Sequence, residues 1–345
     1  MKIGIITGKD DEISLHNEIN KKVPKKHYVN GSVHTDIALS YLMKEKFVGV
    51  DIDIILPKEI TNQRLKKNDI NFILGYDIIN VINNDPHVKK FSGQKGLEKL
   101  DSIYKLKTNK VFPSYPFLSF LWSKKEYLEL LQKNNIPISP TIFIKKNGSI
   151  KNLLKKIKDK KWDKFIIKPI GGTIAYGLGI FNYKKCLKDE TILKEYFEKE
   201  NEYYDEYLVQ GKIEGFKKYG EIKTFWINGE LAYAVNTPGA TSPDEEYVVK
   251  EKINKKDLDQ CEKIGEKVID TIPKIKFNNK KTLPVLIRID FACCKENRRK
   301  ESKNYFVNEI ESDIAGLYIN FPNIKFPALE ILANSYIQKA YQLVN

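Results

Sequence analysis

The sequence predicts an α/β protein, on three observations. Strand-like and helix-like stretches alternate over residues 1–110, the rhythm of βαβ units and a small parallel sheet. Residues 111–212 hold a second set of helices and strands around a glycine-rich segment. Residues 213–345 switch to antiparallel patterning, with strands in pairs. These three segments are the expected domains: a small N-terminal α/β domain and two α+β lobes. With 345 residues and 41% hydrophobic content the chain has ample material for their cores.

In chain order, KIGIITG reads as a strand ending at a glycine, and residues 34–46 have helical spacing. VDIDIILP is a second strand stopped by Pro57, and INFILGYDII a third. Residues 123–135 form a helix with Ser123 as its N-cap, ended by Pro137 and Pro140. KNLLKKIKDKKW is an amphipathic helix, followed by the strand FIIKP, the segment IGGTIAYGLG and the strand GIFNY. One long charged helix is expected around 186–204, then the strand EYLVQGKI. EIKTFWINGELAYAVNT is a hairpin turned at Asn228-Gly229. A helix over 255–272 precedes the strand VLIRIDFACC, the polar insert KENRRKESKN, the strand YFVNEIES and a closing helix over 327–343.

Composition narrows the function classes. No apolar run approaches the length of a membrane span, and the N-terminus lacks the apolar core of a signal peptide, so a cytoplasmic protein is expected. The formal charge is +14, yet only four of the 59 basic residues are Arg. Nucleic-acid interfaces favour Arg, so the Lys excess reads as solvated surface or as a field for an anionic substrate. An Arg inside an apolar strand, such as Arg288, is then conspicuous. The four Cys make no CxxC pair, and the four His all precede residue 90, so later chemistry runs without histidine. There is no GxGxxG after the first strand and no GxxxxGK[ST].

Three constellations carry chemistry. In FIIKPIGGTIAYGLGIF, a strand delivers Lys168 beside Gly171, Gly172, Gly177 and Gly179; glycines let backbone N–H groups approach phosphate, and the Lys adds a point charge. In LIRIDF and FVNEIES, Arg288 and Asp290 share one strand face, and Glu309 and Glu311 another. If the strands pair across the 295–304 insert, three carboxylates converge, an oxygen-only set suited to Mg²⁺ on a nucleotide phosphate. Third, Gln210 and Lys212 alternate with apolar neighbours, and Glu221 and Lys223 open the hairpin.

In this order the segments resemble the ATP-grasp superfamily of carboxylate–amine ligases, such as D-alanine–D-alanine ligase and glutathione synthetase. The resemblance runs through Lys124 and the helix ending in Asn135-Ile136-Pro137-Ile138-Ser139-Pro140, then Lys168 and its loop, Gln210 to Ile213, Glu221, Arg288-Ile289-Asp290 and Glu309-Ile310-Glu311. It covers about residues 110–345. Glu311 stands where the pattern has Asn, and Lys223 where glutathione synthetase-like members have Arg. The resemblance implies ATP and Mg²⁺, or Mn²⁺ in its place, as cofactors. Lys124, Lys168, Gly171, Gly172 and Gly177 would meet phosphates, Gln210, Lys212 and Ile213 adenine, and Glu221 ribose. Asp290, Glu309 and Glu311 would hold the metal. Lys168 and Arg288 would be catalytic, and Lys223 with Arg288 would face the substrate.

The implied reaction joins a small carboxylate to an amine through an acyl phosphate, releasing ADP and phosphate. Neither membrane nor nucleic acid is an expected partner, and a homodimer is the family-level expectation. The alternative is a small-molecule kinase of the same fold, like the inositol-phosphate kinases, for which the positive charge would suit a polyanionic substrate.

Overall fold

A computed structural model describes residues 1–8, 12–75, 110–170, 177–239, 249–294, 305–313 and 316–345. Gly171, Gly172, the end of the third expected strand and the 295–304 insert lie outside these residues.

The N-terminal sheet is parallel, in the order β2 (Asp51–Ile55), β1 (Lys2–Ile6), β3 (Ile70–Ile73), β4 (Val111–Phe112). β1 and β3 have buried apolar side chains on both faces, as strands between helical layers require. Helices α1 (Asn17–Asn20), α2 (Thr35–Lys46) and α3 (Asn62–Lys66) belong to this domain. Between β4 and the next sheet lie α4 (Tyr115–Trp122) and α5 (Lys124–Lys133). Ser123 caps α5 by accepting the Glu126 N–H, and Tyr127, Leu128 and Leu131 form its buried stripe. α4 is an addition to the sequence expectation. Its run YPFLSFLW is apolar all round, so periodicity does not reveal it.

The second sheet is antiparallel, β5 (Thr141–Lys145), β8 (Glu206–Gly211), β6 (Lys164–Pro169), β7 (Gly179–Asn182). α6 (Ile150–Asp159) covers it through Leu153, Leu154 and Ile157, turning its lysines outward. The single helix expected at 186–204 is two, α7 (Tyr183–Lys188) and α8 (Thr191–Glu200). Asp189 between them turns the chain, its Oδ1 accepting from the Thr191 N–H at 3.0 Å and hydroxyl at 2.6 Å, a local bond that competes with the helix.

The third sheet, β10 (Glu230–Thr237), β9 (Glu221–Ile227), β13 (Leu286–Cys293), β14 (Tyr305–Ser312), is also antiparallel. A short helix, α9 (Glu214–Tyr219), leads into it, and β11 (Ile275–Phe277) with β12 (Lys280–Thr282) make a separate hairpin. Asn228 and Gly229 both have positive φ, 53° and 93°, the conformation the β9–β10 turn needs. α10 (Lys255–Thr271) packs Cys261, Ile264, Gly265 and Val268 against one face of this sheet. The closing helix α11 (Ala328–Val344) packs on α2.

Two main cores result. One runs unbroken from Ile3, Ile5 and Phe72 through Tyr127 and Leu131 to Phe225, Phe291 and Tyr336. The other, around Ile157, Phe165, Tyr207 and Val209, belongs to the second sheet alone. A methyl group on Gly265 would overlap the Trp226 ring. Gly265→Ala should therefore lower stability. Its helix-propensity gain of about 1 kcal/mol is smaller than the upper part of the roughly 1–3 kcal/mol cost of overpacking. A urea midpoint equal to or above that of the parent would contradict this packing account.

Candidate active site

Strand register assembles the charged cluster. On β9, Glu221, Lys223 and Phe225 share one face, while Ile222, Thr224 and Trp226 take the other with α10 behind them. Asp290 lies opposite Lys223 on one side and Glu309 on the other, and Arg288 lies opposite Glu311. The polar alternation in LIRIDF and FVNEIES thus lands on one face of three adjacent strands. A register shift follows Asp290, with Phe291 paired to Val307, so Asn308 is the extra residue of a β-bulge on β14. Its side-chain amide donates to Glu221 Oε1 at 2.6 Å. Asn308 escaped the sequence reading; the break in alternation at Phe306-Val307-Asn308 is the signal that could have found it.

Asp290, 1% exposed, is saturated with cations. Arg288 grips it bidentately, Nε to Oδ1 at 2.8 Å and one terminal nitrogen to Oδ2 at 3.0 Å, and the Lys223 ammonium donates to Oδ2 as well. Lys223 also reaches Glu221 at 3.1 Å. Arg288 spans further, to Glu311 at 2.7 Å and the Gly316 carbonyl at 3.3 Å. From the N-terminus of α5, Lys124 closes on Glu309 at 2.7 Å. Arg288 therefore has carboxylate partners within the chain. The resemblance would turn Arg288 toward the substrate; in the structure both oxygens of Asp290 accept from its fork.

Burial and charge then set the protonation pattern. Burial lowers the pKa of Lys223 and of Arg288, but Asp290 with Glu221, and Asp290 with Glu311, outweigh it and hold both cations well above their ordinary values. Burial raises Glu309, yet Lys124 and Lys168 overcome it and bring the carboxyl down to about 2. Glu311 goes the other way: burial, reinforced by Glu309 and Asp290, pushes it up to about 7 against the pull of Arg288. Desolvation draws the Lys168 ammonium down, with Glu309 opposing, which places Lys168 within electrostatic range of the cluster.

Around this centre stand residues the sequence did not mark. The Tyr318 ring lies over both cations, 5.8 Å from Arg288 Cζ and 5.9 Å from Lys223 Nζ. Tyr318 holds a φ of 59°, a strained state for a tyrosine, and its N–H donates to Glu12 Oε1 at 2.7 Å. Glu12, from the loop after β1, is pushed up to about 7 by burial. The buried Tyr127 hydroxyl lies near the acids, and burial together with Glu309 raises its pKa. Such long-range meetings leave no mark in local sequence.

The nucleotide-side candidates are placed by the second sheet. Gln210, on β8, donates to the Thr141 hydroxyl at 2.8 Å. The Lys212 N–H donates to the Lys164 carbonyl, its ammonium meets Glu214, and Ile213 is the N-cap position of α9. Gly211, Lys212 and Ile213 line an open cavity of about 350 Å³ with Ser139, Trp162 and Lys164. Gly177, with φ 69°, packs on Pro169, and its carbonyl accepts from the Tyr196 hydroxyl at 2.6 Å. The Ile136–Pro140 segment joins the sheets, since Val307 donates to the Pro137 carbonyl and Ile138 bridges Val307.

The donor set fits a hard cation. Oxygens of Asp290, Glu309 and Glu311 lie within 4.8 Å of one another, and Glu311 Oε2 is buried without a hydrogen-bond partner. Among the described residues, no helix is long and apolar enough to cross a membrane.

No family model matches the chain, and no curated protein matches by sequence. Solved structures do. D-cycloserine synthetase DcsG superposes with a TM-score of 0.63 at 12% identity, covering 99% of this chain and 100% of its own. D-alanine–D-alanine ligase from Bacillus anthracis, complexed with ATP, gives 0.58 at 14% identity over 100% and 98%. The ATP-grasp ligase PsnB, complexed with a precursor variant, Mg and ADP, gives 0.55 at 12% identity over 98% of both. From end to end, the chain has the ATP-grasp fold of these ligases.

Proposed function

We propose that the protein is an ATP-dependent carboxylate–amine ligase that forms an amide through an acyl phosphate. One observation carries the reading: Asp290, Glu309 and Glu311 converge with Lys124, Lys223 and Arg288 on one face of the third sheet, in a fold shared over its full length with such ligases. A surface salt-bridge ladder would not need a fully buried Asp290 at its centre.

In this reading Gln210, Lys212 and Ile213 meet adenine, Glu221 holds the ribose, Lys124 and Lys168 neutralise phosphate oxygens, and Gly171, Gly172 and Gly177 are further phosphate contacts. Asp290, Glu309 and Glu311 would frame a Mg²⁺ site, and the ion would supply charge neutralisation to the transferring phosphoryl group. A substrate carboxylate oxygen attacks the γ-phosphorus and ADP leaves. The amine then attacks the acyl carbon, phosphate leaves, and the nitrogen loses a proton. Arg288, held between Asp290 and Glu311, adds positive charge near the group whose charge shifts in both steps. Positioning and electrostatics suffice, so the lack of histidine among these residues costs nothing. The reading includes a cytoplasmic location and a homodimer.

Incubation with ATP and pairs of amino acids or peptides should release ADP and phosphate together with a new amide detectable by mass spectrometry. A phosphorylated metabolite without free phosphate would favour the kinase, and would overturn this proposal. Glu309→Gln should cut turnover at least about a hundredfold while leaving the chain folded, as expected for a residue acting on transition-state charge; wild-type turnover would remove Glu309 from the site. Lys168→Ala should raise the ATP requirement and slow the rate, whereas Lys146→Ala, whose side chain pairs with Asp205 at 3.7 Å near the surface, should do neither. Equal effects would refute the distinction. Arg288→Lys, which cannot span Asp290 and Glu311 together, should lower both the melting temperature and the rate per folded molecule, the latter at least tenfold, about 1.4 kcal/mol. A fall in melting temperature alone would make Arg288 purely structural.

A further inference from the structure

Paired divalent cations in phosphoryl-transfer sites sit about 4 Å apart on shared oxygen ligands, and three convergent carboxylates offer such oxygens. Here the frame is already partly filled. Lys223 places its ammonium between Glu221 and Asp290, bonded to both, and is only 6% exposed. Its position is set by β-sheet register, directly across from Asp290, so it is a built part of the site. Arg288 takes both Asp290 oxygens from the other side. Glu309 keeps one oxygen outside its pair with Lys124, and Glu311 Oε2 is buried with no hydrogen-bond partner. The open ligand capacity therefore lies at the Glu309–Glu311 end, and the Asp290 end is closed by a fixed monovalent charge.

Charge counting points the same way. Glu221, Asp290, Glu309 and Glu311 carry four negative charges, and Lys124, Lys168, Lys223 and Arg288 carry four positive ones when all are ionised. A single divalent cation leaves this set at +2, suited to a polyphosphate. A second beside Asp290 would sit against the Lys223 ammonium, where like charges at hydrogen-bonding distance repel strongly in a buried site.

We propose that Lys223 is a built-in replacement for a second divalent cation, so that the site takes one metal ion per nucleotide, held by Glu309 and Glu311. The sequence had grouped Lys223 with the substrate; its burial between two carboxylates makes it a positioning residue instead. The proposal rests on the nucleotide-binding reading above.

The test counts metal ions in the full chain with one equivalent of the non-hydrolysable analogue AMP-PNP, using Mn²⁺ and electron paramagnetic resonance, with nucleotide binding measured separately by equilibrium dialysis. The parent should bind one Mn²⁺ and show no spin-coupled pair. Lys223→Met should bind two, with the coupled signal of neighbouring ions, and Lys223→Arg, which keeps the charge, should return to one. Two Mn²⁺ in the parent would overturn the proposal without any variant, so a misfolded Lys223→Met does not protect it. One in both the parent and a folded Lys223→Met would overturn it too. Bound nucleotide with the wrong metal count defeats this inference alone; no bound nucleotide defeats the ATP reading with it.

Discussion

Burying a carboxylate as deeply as Asp290 is costly unless cations come to it, and much of the C-terminal architecture delivers them. β9 brings Lys223 from one side, β13 itself brings Arg288, and β14 brings Glu311, which engages Arg288 in turn. Removing one partner from such a set leaves a buried charge unmet, at a cost on the order of 3–5 kcal/mol. The cluster therefore constrains its own register. A slip of one residue on any of the three strands would turn the charges into the apolar layer under α10 and the apolar residues onto the charged face.

The same constraint explains why the site is built across the chain. The third sheet supplies the acids, α5 supplies Lys124, and the loop after β1 supplies Glu12, which fixes Tyr318 over the two buried cations. The large core that runs from the N-terminal sheet through α5 to α11 keeps these sources in one frame. The second sheet has its own core around Phe165 and Tyr207, and it carries Lys168 and the Gln210–Lys212 strand end. A site drawing residues from two separately packed cores suits chemistry that must admit a polar ligand and then exclude water from it.

Much of this was legible in the chain itself. Period-2 patterning marked β9, β10, β13 and β14, Asn228-Gly229 marked their turn, and the polar positions within those strands marked Glu221, Arg288, Asp290, Glu309 and Glu311. Strand alternation is a local rule, so a residue's face follows from its neighbours. The single long helix expected at 186–204 failed for an equally local reason, the side chain of Asp189.

What tertiary structure alone decided is who meets whom. That Arg288 closes on Asp290 rather than waiting for a ligand, that Lys223 sits between two acids, and that a bulge sends Asn308 to Glu221 all depend on register between strands far apart in the chain. So do Glu12 and Tyr318, some three hundred residues apart yet joined by one hydrogen bond. Sequence patterning sets which face of a strand a side chain occupies. The balance of desolvation and Coulomb energy at that face is a property of the assembled neighbours, and it exists only once the strands have paired.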